Sequence, residues 1–127
     1  PALIADMNRI KFSYSPYNIS SLNQAAGAAA MRDEAYFRDT VAKICRTRQD
    51  TTDALRKRGF TVLDSATNFL FAKPAEKPAK EIFEALRERG VLIRHFSAPR
   101  IDSWLRITIG TPEQMARFLQ ELDDILR

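Results

Sequence analysis

The spacing of apolar residues along the chain changes period several times, and each change marks an element. Leu3, Ile4, Met7 and Ile10 recur at three- and four-residue steps, which predicts a short helix over residues 2–11. Residues 12–18, Phe-Ser-Tyr-Ser-Pro-Tyr-Asn, read as an aromatic-rich loop, because Pro16 disfavours helix at Ser15 and the serines and Asn18 favour turns. Ser20 or Ser21 caps a second helix. Its Leu22, Ala25, Ala26 and Ala29 present a smooth face suited to close helix packing, with Gly27 costing about 1 kcal/mol of propensity relative to alanine. From residue 33 to 58, Tyr36, Phe37, Val41, Ile44, Cys45 and Leu55 return at helical steps in a highly charged background, and Gly59 supplies a left-handed stop.

The second half mixes periods. Residues 60–63 and 69–73 are short β-prone runs that should pair antiparallel, with Pro74 closing the second. Ile82, Phe83 and Leu86, ended by Gly90, predict another amphipathic helix. A strand over residues 91–96, a polar loop holding Pro99 and a strand over 104–109 follow. Thr111-Pro112-Glu113 then combines a cap, a proline at the first helical position and an acid in the first turn. Met115, Phe118, Leu119, Leu122, Ile125 and Leu126 form the buried stripe of that last helix. The order is three helices and then β-β-α-β-β-α. It predicts an α/β chain of the α+β kind, in which N-terminal helices precede a sandwich with a small, mostly antiparallel sheet. That arrangement serves many functions and decides none.

At 127 residues the chain suits one domain with one core. No apolar run approaches the roughly 20 residues of a membrane span. A lone Cys45 excludes an internal disulfide and fits a reducing compartment, so cytoplasm is the expected location. The start, Pro-Ala-Leu-Ile-Ala-Asp-Met, has no methionine and no basic or long apolar stretch, and reads as a cut rather than a signal peptide. A net charge of +4 raises nucleic acid as a partner. However, Arg46, Arg48, Arg56, Lys57 and Arg58 alternate with Asp50 and Asp53, as on solvated helix faces, so neither nucleic acid nor membrane is expected.

Few side chains offer chemistry. The glycines at 27, 59, 90 and 110 lie at or near helices or their ends, so there is no phosphate loop, and no Cys/His set has metal spacing. His95, the single histidine, has no visible partner and reads as structural or exposed. Arg94 and Arg106 are more informative, since each interrupts an otherwise apolar strand. A guanidinium there is costly unless a carboxylate or phosphate meets it, and side by side the two make an anion site. The alternative is that either arginine faces solvent or pairs with Asp64 or Asp102. Tyr14 and Tyr17 flank Pro16, where a phenol reaches a ligand or simply packs, and Asn68 reads as a turn residue.

Four segments occur in an informative order and spacing: residues 16–26 (PYNISSLNQAA), 67–71 (TNFLF), 87–94 (RERGVLIR) and 104–111 (WLRITIGT). Together they resemble the C-terminal third of the histidinol-phosphate aminotransferases, which are class II, fold-type I enzymes using pyridoxal 5'-phosphate. The likeness covers the whole chain, and related enzymes of the same branch carry close versions of the last segment. It implies a single small domain over 1–127, with residues 1–32 a helical segment joining a large domain and 33–127 the small domain proper.

The resemblance also implies that Arg106 binds the carboxylate of the amino-acid partner. Arg94 and Tyr17 shape the substrate site, with Tyr17 toward the phosphate of histidinol phosphate and 2-oxoglutarate as the other substrate. The aldimine lysine and the cofactor-binding residues belong to the large domain, and none of the six lysines here stands in the expected Ser-Lys context. The chain alone is therefore expected to bind no cofactor and catalyse nothing, while the whole protein acts as a homodimer. Other readings are a phosphothreonine decarboxylase or aromatic aminotransferase of the same branch, or a stand-alone anion-binding regulatory module. The aminotransferase reading expects exposed apolar surface on the alanine-rich helix, and the module reading expects none.

Overall fold

The computed structural model describes residues 2–14 and 17–127, which divide into two compact units, residues 1–38 and 39–127. The N-terminal unit holds α1 (Ala2–Tyr14), α2 (Ser21–Arg32) and the first turn of α3 (Glu34–Lys57). Helix α1 runs three residues further than the apolar pattern predicts. The restriction imposed by Pro16 falls on Ser15, leaving residues 12–14 free to stay helical, and the Ser13 hydroxyl donates to the Arg9 carbonyl at 2.7 Å. Pro1, Ser15 and Pro16 lie outside the described residues. The Ser20 hydroxyl caps α2 by accepting from the Asn23 amide, and Asp33 does the same for α3 by accepting from Tyr36.

No residue of α1 or α2 is buried. The smooth face of α2 finds no cover among the described residues: its Leu22 stands 77% exposed, and Met31 at the end of the helix 80%. Tyr14 and Tyr17 do not pack either, being 91% and 87% exposed.

The second unit carries the core. Strands β1 (Thr61–Val62), β2 (Phe69–Lys73), β3 (Arg94–His95) and β4 (Leu105–Thr108) form one antiparallel sheet in the order β1-β2-β4-β3. Helices α4 (Ala79–Glu88) and α5 (Pro112–Leu126) and the C-terminal half of α3 bury one face of it. Leu55, Leu70, Ile82, Leu86, Leu105, Ile107 and Leu122 are almost wholly enclosed. Strand β3 is shorter than the predicted 91–96, because the Val91 amide turns back to the Leu86 carbonyl and only Arg94 and His95 pair with β4. Burial in α3 comes from Thr47, Thr51 and Thr52 beside Leu55, whereas Tyr36 and Phe37 stay exposed. Thr51 and Thr52 satisfy their hydroxyls on the carbonyls four residues earlier, at 2.7 and 2.8 Å, and so behave as core residues.

Helices α3 and α4 end alike. The Phe60 amide bonds to Leu55 and the Gly59 amide to Arg56, while Val91 bonds to Leu86 and Gly90 to Arg87. Both glycines have positive φ, +81° and +75°, the left-handed residue that this double bond pattern requires. A Cβ at either site meets nothing nearer than 3.7 Å, so the cost of adding one is conformational. Gly59→Ala should lose about 1–2 kcal/mol, measured by urea unfolding.

Helix α5 opens with a full capping box between Thr111 and Gln114 and is tied to the end of α3 by Arg58, whose guanidinium donates to both oxygens of Asp123 at 2.6 and 2.7 Å. Those bonds hold the Asp123 carboxyl below its ordinary value, with desolvation opposing and the charge of Arg58 adding. A lowered carboxyl pKa contributes stability above the unfolded value of about 3.9 and loses it as pH falls through the folded value. The pair is partly exposed, so Asp123→Asn should cost about 1 kcal/mol or less above pH 5. The difference from the unsubstituted chain should close as urea midpoints are taken down toward pH 3.

Candidate anion-binding site

Antiparallel pairing sorts the residues of the sheet. Phe71 pairs with Arg106 and Arg106 with Arg94, so these three share the face opposite Leu70, Leu105 and Ile107. Two residues along, Phe69 and Trp104 join that face, with Phe96 beyond β3. Trp104 stacks on Phe71 with ring centres 5.0 Å apart and planes 8° apart, and Phe96 meets Phe71 edge-on at 6.4 Å. The guanidinium carbon of Arg106 lies 4.6 Å from the centre of the Phe69 ring and 5.8 Å from that of Phe96. That of Arg94 lies 5.5 Å from Phe96.

Phe69 is held by the turn before it. Its amide donates to the Thr67 hydroxyl at 3.1 Å, its carbonyl accepts from Ser65 at 2.6 Å, and Arg48 of α3 donates to the Thr67 carbonyl at 2.7 Å. Asn68 serves the ladder through its backbone, its carbonyl accepting from the Ile109 amide.

Two guanidinium side chains directly opposite each other repel. Among the described residues no acid pairs with either of them: Asp64 pairs with Arg56, and Asp102 meets the strand through its backbone carbonyl, bound to His95 Nε2 at 2.7 Å. Neither Arg94 nor Arg106 has an ion pair or hydrogen bond among the described residues, and the Nε of half-buried Arg106 is shielded from water without a partner. A shielded donor on a permanently charged group is expensive, and the outer N–H groups of the same guanidinium stay free for a multi-oxygen anion. The rings give the guanidiniums a flat floor but take none of their donors. Electrostatically the face suits carboxylate or phosphate.

Of the three predicted site residues, Arg94 and Arg106 are brought together, while Tyr17 belongs to the N-terminal unit, in the link between α1 and α2. His95 points to the core side, its ring 5.9 Å from that of Phe83. The aromatic floor lies outside the sequence expectations, although strand alternation holds part of its signal. The same alternation that buries Leu70 and Ala72 puts Phe69 and Phe71 opposite them, and Trp104 and Phe96 stand two residues from Arg106 and Arg94. No group of three or more metal-ligating side chains occurs among the described residues, and no helix there is long and apolar enough to cross a membrane.

A model of the class I and II aminotransferases matches residues 3–122, so the chain belongs to that family. It is 43% identical over 126 residues to a histidinol-phosphate aminotransferase of Gluconacetobacter diazotrophicus and 42% identical over 126 to one of Hydrogenovibrio crunogenus, covering 99% of this chain and 35% of each relative. The structure of a Sinorhizobium meliloti histidinol-phosphate aminotransferase in complex with pyridoxal 5'-phosphate superposes with a TM-score of 0.77 at 27% identity, over 85% of this chain and 30% of that one. The chain thus spans about a third of the length of the curated relatives it matches.

The residues present do not make a cofactor site by themselves. Lys11, Lys43, Lys57, Lys73 and Lys80 are exposed, and Lys77 donates to the Ile125 carbonyl. No lysine is buried where an aldehyde could be captured and shielded from water. Because the desolvated, unpartnered Nε of Arg106 offsets what its guanidinium gains over the Phe69 ring, Arg106→Met should leave stability within about 1 kcal/mol of the original. Thermal unfolding in an anion-poor buffer measures this.

Proposed function

We propose that this chain is the substrate-receiving C-terminal part of a longer aminotransferase that exchanges an amino group between histidinol phosphate and 2-oxoglutarate in histidine biosynthesis. The whole protein works in the cytoplasm as a homodimer with pyridoxal 5'-phosphate, and this part alone has no turnover. The observation that carries the reading is the acid-free pair of Arg94 and Arg106 on the aromatic face. The names of relatives at 42–43% identity supply the particular substrates.

Two substrates that take turns in one site must each present an anion to the same receptor. A guanidinium grips two oxygens at once and accepts carboxylate and phosphate alike. In this reading Arg106 holds the carboxylate of glutamate or 2-oxoglutarate and Arg94 reinforces the field. The Tyr17 phenol donates to the phosphate of histidinol phosphate. When bound, the cofactor supplies the electron sink for transamination. This chain's contribution is to seize and orient the substrate.

The test is steady-state kinetics on the full-length protein. Arg106→Ala should raise KM for 2-oxoglutarate by about a hundredfold, the usual scale for losing one side of a shielded charged contact. Tyr17→Phe should raise KM for histidinol phosphate about tenfold and affect 2-oxoglutarate less. Full-length protein that moves no amino group from histidinol phosphate, or an Arg106→Ala variant with unchanged kinetics, overturns the reading.

A further inference from the structure

We propose that Phe69 is a positioning residue for Arg106, an aromatic rest that fixes the guanidinium without consuming any of its donors. The inference builds on the substrate-binding reading of Arg106 and names the side chain through which that arginine is aimed. An arginine that must bind a ligand needs something to hold it still, and a carboxylate or carbonyl that did so would occupy N–H groups and cancel charge. Arg106 has no such partner among the described residues. Its guanidinium instead lies closest to the Phe69 ring, at 4.6 Å, with Phe96 farther off at 5.8 Å.

Phe69 is itself immobilised from three sides. Its backbone pairs with Thr108 of β4, its amide and carbonyl are bound by Thr67 and Ser65, and that turn is fastened to α3 through Arg48. Position is thus relayed from the backbone of the turn to the ring, and from the ring to the guanidinium. A face-on ring restrains a flat cation in tilt and height through its quadrupole and leaves the edge donors free. Phe96 touches both arginines, whereas Phe69 touches Arg106 alone, so Phe69 is the cleaner probe.

Phe69→Leu keeps an apolar strand residue and removes the ring. Phe69→Tyr keeps the ring and its face. In the full-length enzyme, Phe69→Leu should raise KM for the dicarboxylate substrate about three- to thirtyfold, the scale of a partly desolvated cation–π contact, with kcat changed less. Phe69→Tyr should stay within about twofold of the parent. Both variants are first matched for folding by thermal unfolding. If Arg106→Ala raises KM but Phe69→Leu leaves it unchanged, the positioning role is wrong while the substrate-binding reading stands. If Phe69→Leu and Phe69→Tyr raise KM equally, the ring face is not the operative feature and the proposal is overturned. If Arg106→Ala itself has no effect, the underlying reading has failed, a result separable from the other two.

Discussion

The register between β2 and β4 governs everything else in the C-terminal unit. Leu70 opposite Ile107 and Ala72 opposite Leu105 put one set of side chains against the helices, and the same register delivers Phe71 and Arg106 to the other face. A slip of one residue exchanges the two sets. It buries guanidinium among leucines and exposes the core to water. The large energetic preference for burying the aliphatic set therefore places the charged set, and the site inherits its geometry from a packing decision made on the far side of the sheet.

The helices serve that register from their ends. Gly59 and Gly90 stop α3 and α4 in the same left-handed turn, and each turn releases the chain directly toward a strand, β1 after Phe60 and β3 after Val91. The capping box at Thr111 starts α5 immediately after β4 has ended, and the Arg58–Asp123 fork ties the far part of α5 to the end of α3. Each contact is worth little alone. Together they fix where the strands begin, and so which residues face which way.

Elements with local signals could be read from the sequence. The two glycine stops, the Ser20 and Thr111 caps and the apolar stripe of α5 depend on neighbours within a few positions, and the structure shows each of them. The antiparallel pairing of β1 with β2 follows equally from local patterning. Elsewhere tertiary context decided. Residues 91–93 have strand composition, but the helix end before them captures the Val91 amide. The buried threonines of α3 have no periodic apolar signal, because their hydroxyls are silenced by backbone carbonyls that composition does not reveal.

At the site, Arg94 and Arg106 stood out as charges in apolar strands, while the aromatic floor became apparent only once register had joined Phe69, Phe96 and Arg106 from three separate strands or their extensions. The two arginines, and the anion site they make if their strands lie side by side, were visible in advance. Their direct opposition in register, and the lack of an acid partner among the described residues, are properties of the folded sheet.

That absence leaves the face open to any oxyanion. If the face receives a substrate anion as proposed, two guanidiniums that meet no acid among the described residues do not distinguish it from the ions of ordinary solution, so inorganic phosphate and sulfate become competitors. By mass action each such ion also steadies the fold in proportion to its occupancy. On that reading the salt around the chain is itself a weak ligand at the same receptor.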